Sequence, residues 1–397
     1  MPNGWIKRDF EEILASSSST LRLFPVWLLL GPRQVGKSSL FLHLKEPSRS
    51  YINLDDINVR IRAQTDPELF LKDFTSPLLI DEIQYAPQLL SPVKRRADQT
   101  GKSGVVWLTG SQSFEVMKGV QESLAGRVAI LNLFGLSDHE KQIHTSRPVE
   151  YFSSILETTF PKLFREVDPN ARDLYLSSYL QTYIERDIRE LLGIQKRREF
   201  ELFVKMCALR TAQIINYDSL ARDVGVSPVT IKEWLSLLED SFLIRIVPPY
   251  YSNRNKRLMK SPKIYFLDAG LAAYLAGWKD PEMIRLGPMA GAIFETHIFG
   301  NILRTFRHRA KDMQIYFWRT RDGDEIDFLV ETGSRIYPLE VQLSRPHSKE
   351  LLPLKPLRES NWQEGAVVSL SEESSGIRVH SDWMLYHPYD LSRILTG

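Results

Sequence analysis

"VWLLLGPRQVGKSS", residues 26–39, decides how the first third of the chain is read. Five apolar residues run into a glycine, Gly-Lys-Ser comes after four intervening residues, and an apolar-periodic stretch, "SLFLHL", follows. Strand, glycine-rich turn and helix in that order satisfy the Gly-x-x-x-x-Gly-Lys-Ser phosphate-binding pattern together with the context it needs. The glycines matter because backbone N–H groups must turn inward around phosphates with no Cβ in the way, while the following helix N-terminus adds positive dipole. Gly31, Pro32, Arg33, Gln34, Val35, Gly36, Lys37, Ser38 and Ser39 are therefore the expected ATP-binding residues, with Lys37 on the β and γ phosphates and Ser38 on Mg²⁺.

Working outward, "PLLIDEIQ" supplies a buried strand whose carboxyl end carries Asp81 and Glu82. Asp81 is expected beside the metal, and Glu82 as the general base that activates the hydrolytic water. "VVWLTGSQ" places Ser111 at the end of another strand, where a small polar side chain can sense the γ-phosphate or orient that water. In "SLAGRV", Arg127 stands between a helical stretch and the strand "VAILNL", a position suited either to an arginine directed into a neighbouring subunit's nucleotide site or to a structural salt bridge. With "SYINLD" these segments make five short apolar strands alternating with helices up to about residue 145, which predicts a parallel sheet covered on both faces.

Composition bounds the alternatives. The 397 residues are 43% hydrophobic and 25% charged, ordinary for a globular protein and too many for one core. Fifty-one Lys and Arg against 49 Asp and Glu leave a net charge of +2, so any basic surface must be local. No apolar run is long enough to cross a bilayer and no leader pattern opens the chain, which reads as cytoplasmic with no membrane partner. The one cysteine, Cys207, permits neither an internal disulfide nor a thiolate cluster and reads as a small buried residue.

"YDSLARDVGVSPVTIKEWLSLLEDSFLI" has the pattern of a helix-turn-helix. Leu220, Ala221 and Val224 form one apolar face, Ile231, Leu235 and Leu238 the next, and Ser227-Pro228 is a strong helix start. The second helix would expose Thr230, Lys232 and Glu233. "NRNKRLMKSPK" then concentrates Arg254, Lys256, Arg257, Lys260 and Lys263 between two strands, the wing of a winged helix suited to DNA phosphates. The expected DNA-contacting residues are Thr230, Lys232, Arg254, Lys256, Arg257 and Lys260.

Taken in order, "GPRQVGKSS", "LLIDEIQ", "LTGSQ", "SLAGRV", "YIERDI" and "YFLDAGL" resemble the prokaryotic AAA-type (AAA+) P-loop ATPases that carry a conserved C-terminal domain of uncharacterised function. The resemblance covers nearly the whole chain. It implies an α/β architecture: an AAA+ ATPase core with a parallel sheet (1–147), a helical lid (148–209), a winged-helix DNA-binding domain (210–285) and a restriction-endonuclease-like α/β domain (286–397). It also implies ATP and Mg²⁺ as cofactors and a homo-oligomeric ring, six subunits being the expectation.

The last of these domains has its own reading. "EIDFLVETGSRIYPLEVQLS" alternates like a hairpin, and a two-residue turn at Gly333-Ser334 sets Asp327 across from Glu340 and Glu325 across from Gln342, all on one face. Facing carboxylates need a cation or a proton between them, and Mg²⁺ prefers such oxygens. Asp327 and Glu340 match the acids of the PD-(D/E)xK nuclease fold, with Glu295 able to flank the same metal. Gln342 stands where that motif has lysine, which removes the positive charge that would face the scissile phosphate. The expected function is a ring-forming ATPase that binds and translocates on or remodels DNA, selecting branched or forked structures. The alternatives are a nucleotide-dependent switch in defence or toxin control acting through a protein partner, and an ATP-fuelled nuclease.

Overall fold

The computed structural model describes residues 4–15, 20–111, 114–166, 168–183, 196–251, 261–320, 322–347, 351–354, 362–371, 373 and 375–396. The chain divides into two compact units. The first comprises Met1–Leu136, Asp240–Phe242 and Phe306–Lys311, and the second Ser137–Glu239, Leu243–Thr305 and Asp312–Gly397.

In the first unit the five expected strands form: β1 (Val26–Leu30), β2 (Ser50–Asn53), β3 (Leu78–Asp81), β4 (Val106–Gly110) and β5 (Val128–Asn132). They make one sheet in the order β2-β3-β4-β1-β5, every pairing parallel. Because strand side chains alternate, each strand feeds two cores at once. Val26, Leu28 and Leu30 pack with Ile80, Leu90, Val93 and Leu108 in one cluster, while Trp27 and Leu29 pack with Leu40, Phe41, Leu79 and Trp107 in another. Helices Lys37–Leu44, Ile57–Thr65, Leu90–Thr100 and Phe114–Ser123 lie between successive strands, so the carboxyl ends of the strands gather the loops that carry the site. Two distant segments complete this unit. Phe134 N–H donates to His308 Nε2 at 3.1 Å, and Arg309 pairs with Asp9 at 3.1 Å.

The second unit begins with a capping box, Ser137 and Glu140 bonding each other's backbone N–H at the head of helix Asp138–Lys141. Helices Pro148–Leu156, Pro169–Tyr183 and Arg197–Leu209 follow; most of "YIERDI" lies outside the described residues. Cys207 is buried, as expected. The helix-turn-helix is formed by Tyr217–Val224 and Pro228–Asp240, with Gly225 between them at φ 81°, a left-handed conformation that glycine adopts without strain. Leu220, Ala221, Val224, Ile231, Leu235 and Leu238 are all buried. A small antiparallel sheet in the order β6 (Gln213–Ile214), β8 (Lys263–Phe266), β7 (Ile244–Val247) completes the winged-helix arrangement.

Beyond helix Ala290–Arg307 come β9 (Gln314–Arg319), β10 (Glu325–Thr332), β11 (Arg335–Gln342), β12 (Gly365–Ser369), β13 (Ile377–His380) and β14 (Trp383–Tyr386). They form a mixed sheet in the order β13-β14-β12-β11-β10-β9. The β10–β11 hairpin pairs Phe328 with Leu339 through to Thr332 with Arg335, the register expected from a turn at Gly333-Ser334, and Gly333 has φ 57°. Among the described residues, no helix is long and apolar enough to cross a membrane.

The helix-turn-helix rests on its cap. Ser227 Oγ accepts the Thr230 N–H at 3.1 Å. Ser227→Ala should lower the local stability of helix Pro228–Asp240 by about 1 kcal/mol, seen as faster amide exchange in its first turn and unchanged exchange in the parallel sheet.

Candidate functional site

The phosphate-binding loop is built by two glycines in conformations that other residues avoid. Gly31 has φ 150°, and a Cβ there would stand 1.9 Å from the Leu133 carbonyl oxygen; Gly36 has φ 95° and precedes helix Lys37–Leu44 with no side-chain cap. A helix N-terminus that opens on glycine without a side-chain cap suits an anion. Lys37 is buried and donates to the carbonyls of Gly31 at 2.9 Å and Pro32 at 2.7 Å, so its ammonium already lies across the loop. Arg8 braces the loop from behind, donating to Val35 O at 2.9 Å and Phe134 O at 2.7 Å. Ser39 and Gln34 are exposed, Val35 is buried, and Pro32 and Arg33 are half-buried.

Asp81 ends β3, as the sequence predicts, and three hydroxyls converge on it. Ser38 Oγ donates to Oδ1 at 2.7 Å, Thr109 Oγ1 contacts the same oxygen, and Tyr51 OH donates to Oδ2 at 2.9 Å. A serine that gives its proton to a carboxylate keeps its lone pairs for a cation. The lysine, the uncapped helix and this Ser38–Asp81 pair fit Mg²⁺–ATP, with Ser38 as the metal's ligand and Asp81 behind it. Glu82 follows at φ 60°, a left-handed conformation costly for a residue with a Cβ and the kind of local strain found at functional sites. Its N–H donates to Thr109 Oγ1 at 3.2 Å, and its carboxylate accepts from Gln84 Nε2.

Thr109 and Tyr51 are absent from the sequence reading. Thr109 is fully buried, a polar residue in the apolar strand "VVWLTG", and that break in the pattern could have flagged it. Ser111, the residue chosen instead, lies just past Gly110 at the end of β4 and is half-buried. Arg127 forms an ion pair with Asp98 of helix Leu90–Thr100 and donates to the Ala125 carbonyl at 3.2 Å, so within one chain it has the structural partner that the sequence left open.

In the helix-turn-helix, Lys232 and Glu233 are exposed as expected. Thr230 is only half-buried rather than presented, because its hydroxyl lies 2.8 Å from Ser227 Oγ at the cap. Arg254, Lys256, Arg257 and Lys260 lie outside the described residues. Lys263, grouped with them by sequence, is no part of a basic surface. It is 4% exposed and its ammonium lies 2.5 Å from Glu325, 3.0 Å from Glu295 and 3.9 Å from Asp327.

This lysine changes the reading of the C-terminal acids. Glu295 from helix Ala290–Arg307, Glu325 and Asp327 from β10, and Glu340 from β11 come together as the hairpin register requires, but the cation among them is Lys263 from β8. Asp327 Oδ2 accepts the Val341 N–H at 2.9 Å, Tyr265 OH donates to Glu295 at 2.5 Å, and Arg319 lies 3.3 Å from Glu325. Burial and the facing Asp327 push the Glu340 carboxyl well above the carboxylate range. Burial and Asp327 likewise push Glu295 up to about 8, against the pull of Lys263 and Tyr265. Burial works against the Lys263 ammonium, but the neighbouring Glu295, Asp327 and Glu325 outweigh it and push its pKa up. Gln342 is half-buried on the same strand as Glu340. Among the described residues, no group of three or more His, Cys, Asp or Glu is arranged to hold a metal ion.

Two outcomes follow from these contacts. Lys37→Ala should abolish nucleotide binding, measured with a fluorescent ATP analogue, whereas Glu82→Gln should bind ATP normally and hydrolyse it at least a hundredfold more slowly; wild-type turnover in Glu82→Gln would assign the base elsewhere. Lys263→Met should destabilise the second unit by about 3 to 5 kcal/mol, because it leaves buried carboxylates without their counter-charge. A thermal melt that is unchanged in Lys263→Met would show that the acids are compensated without it.

Three stretches of the chain match known protein families. Residues 23–141 match the family described as AAA domain, 149–282 a domain of unknown function (DUF8612), and 290–386 a domain of unknown function (DUF4143). The uncharacterized proteins Rv2008c of Mycobacterium tuberculosis and Mb2031c of Mycobacterium bovis are each 30% identical over 324 residues, covering 80% of this chain and 70% of theirs. An uncharacterized protein of Haemophilus influenzae is 24% identical over 349 residues, covering 81% of this chain and 83% of its own. Among solved structures, Thermotoga maritima RuvB aligns over 64% of this chain and 93% of its own at 16% identity, with a TM-score of 0.27, too weak a likeness to argue from. The extent of the mycobacterial match and the AAA domain over the phosphate-binding loop establish that the chain belongs, with those relatives, to the family of AAA-type P-loop ATPases that carry a C-terminal domain of unknown function.

Proposed function

We propose that the protein is a ring-forming ATPase that binds DNA through its winged helix and uses hydrolysis to translocate on or remodel it, acting on branched or forked structures. The observation that carries the ATPase part is the convergence of Lys37, Ser38, Asp81 and Glu82 at the carboxyl ends of β1 and β3. Lys37 leaves the Gly31 and Pro32 carbonyls for the β and γ phosphates, and the uncapped N–H groups after Gly36 hold the phosphate oxygens. Bound Mg²⁺ would supply charge neutralisation between the phosphates, with Ser38 as its protein ligand and Asp81 fixing the serine's orientation. Glu82 takes the proton of the attacking water, and Thr109 and Ser111 stand at the strand end where the γ-phosphate is sensed.

The DNA-binding part is supported by the exposed Lys232 on the second helix of the helix-turn-helix and by the basic residues Arg254, Lys256, Arg257 and Lys260 of the sequence. Phosphate contacts of that kind set affinity without reading sequence, in keeping with a structure-selective ligand. For Arg127 to act in a neighbouring site it must leave Asp98, and an exposed pair of this sort resists little. A hexamer of cytoplasmic subunits, each with an ATPase core, helical lid, winged helix and nuclease-like domain, completes the reading.

In this reading the C-terminal acids do not cut DNA. The Lys263 ammonium already supplies positive charge where a divalent ion would meet these acids. ATPase rates measured with single-stranded, duplex, forked and four-way DNA test the proposal. Branched DNA should stimulate turnover most, and a slow rate indifferent to every DNA would favour a switch that acts through a protein partner. The same preparations with Mg²⁺ or Mn²⁺ should leave the DNA intact; cleavage that disappears in Asp327→Asn would make the chain an ATP-fuelled nuclease.

A further inference from the structure

Of the three hydroxyls on Asp81, two come from the elements expected to build a nucleotide site and one does not. Tyr51 belongs to β2, the edge strand of the sheet, and is 38% exposed. In the parallel register it lies beside Leu79, two residues before Asp81, so its ring runs along the strand to bring the hydroxyl to Oδ2 at 2.9 Å. Burial of the hydroxyl and the adjacent Asp81 charge push the phenol above its ordinary range.

An aspartate carboxyl turns easily about its last torsion. With both Ser38 and Thr109 on Oδ1, nothing in that pair fixes the plane of the group; a third bond, to the other oxygen, does. A hydrogen bond to an ionised acceptor is also among the stronger kinds. We propose that Tyr51 is a positioning residue for the Mg²⁺–nucleotide site: by holding Oδ2 it locks the Asp81 carboxylate so that Oδ1 orients the Ser38 hydroxyl toward the metal. The inference rests on the ATPase reading and extends it to a residue at the edge of the sheet. It also means that Tyr51 touches neither nucleotide nor metal, and that its effect passes wholly through Asp81.

Tyr51→Phe in the full chain removes one oxygen from a partly exposed side chain and keeps the ring in place, and a thermal melt confirms that the variant is folded at the assay temperature. Binding of a fluorescent ATP analogue is measured in EDTA and over a Mg²⁺ titration, alongside the Mg²⁺ dependence of hydrolysis. Binding in EDTA should stay within twofold of wild type, while the half-saturating Mg²⁺ concentration rises about tenfold, the effect of one hydrogen bond to a charged group, and kcat falls more than KM for ATP changes. Superimposable Mg²⁺ titrations would overturn the inference, as would an equal loss of binding with and without Mg²⁺, which would mark Tyr51 as merely structural. A wild-type chain that binds no nucleotide under either condition would instead overturn the ATPase reading and this inference together, and it is told apart by the wild-type arm alone.

Discussion

The first unit is organised around one carboxylate. Asp81 receives hydroxyls from Ser38, which opens the helix after the phosphate-binding loop, from Thr109 on β4 and from Tyr51 on β2, while its own strand lies between β2 and β4. A carboxylate buried at a strand end is expensive unless it is hydrogen-bonded, and these three donors supply those bonds. The same bonds set the spacing between loop, metal position and Glu82, whose N–H is tied to Thr109. Ser38 directly, and Glu82 through Thr109, are thus tied to Asp81.

The second unit holds a contrasting solution to the same electrostatic problem. Four carboxyl groups converge from β10, β11 and helix Ala290–Arg307, and their repulsion is relieved by the Lys263 ammonium, while burial and the facing Asp327 raise the Glu340 carboxyl. A lysine on a strand of the winged-helix sheet thereby joins that sheet to the C-terminal one through ion pairs less exposed than any surface bridge. The first site is built so that a cation can arrive; the second already contains its cation. That difference is why the nuclease-like geometry of the hairpin does not by itself argue for a nuclease.

The distribution of the chain between the units adds a further constraint. Residues 306–311 continue from the end of helix Ala290–Arg307 yet pack in the ATPase unit, where His308 accepts from Phe134 N–H and Arg309 pairs with Asp9. Arg8, next in sequence to Asp9, holds the carbonyl of Val35 in the phosphate-binding loop. The loop's backing is thus assembled from residues 8–9 and 308–309, far apart in the sequence.

Features that depend on near neighbours in sequence were legible from it. The glycine spacing of residues 31–36, the five strands, the faces and cap of the helix-turn-helix, and the Gly333-Ser334 hairpin register all follow from local sterics and side-chain periodicity, and they place Lys37, Asp81 and Glu82 without any tertiary information. What the tertiary structure decided are the partners brought together across dozens of residues. Tyr51 and Thr109 reach Asp81 only because the sheet runs β2-β3-β4, and Lys263 enters the acid cluster only because β8 faces the hairpin. Read as composition, Lys263 is one more basic residue in a wing. Its burial beside three carboxylates makes it a counter-ion, because the role of a charge is fixed by what surrounds it in space and not by its neighbours along the chain.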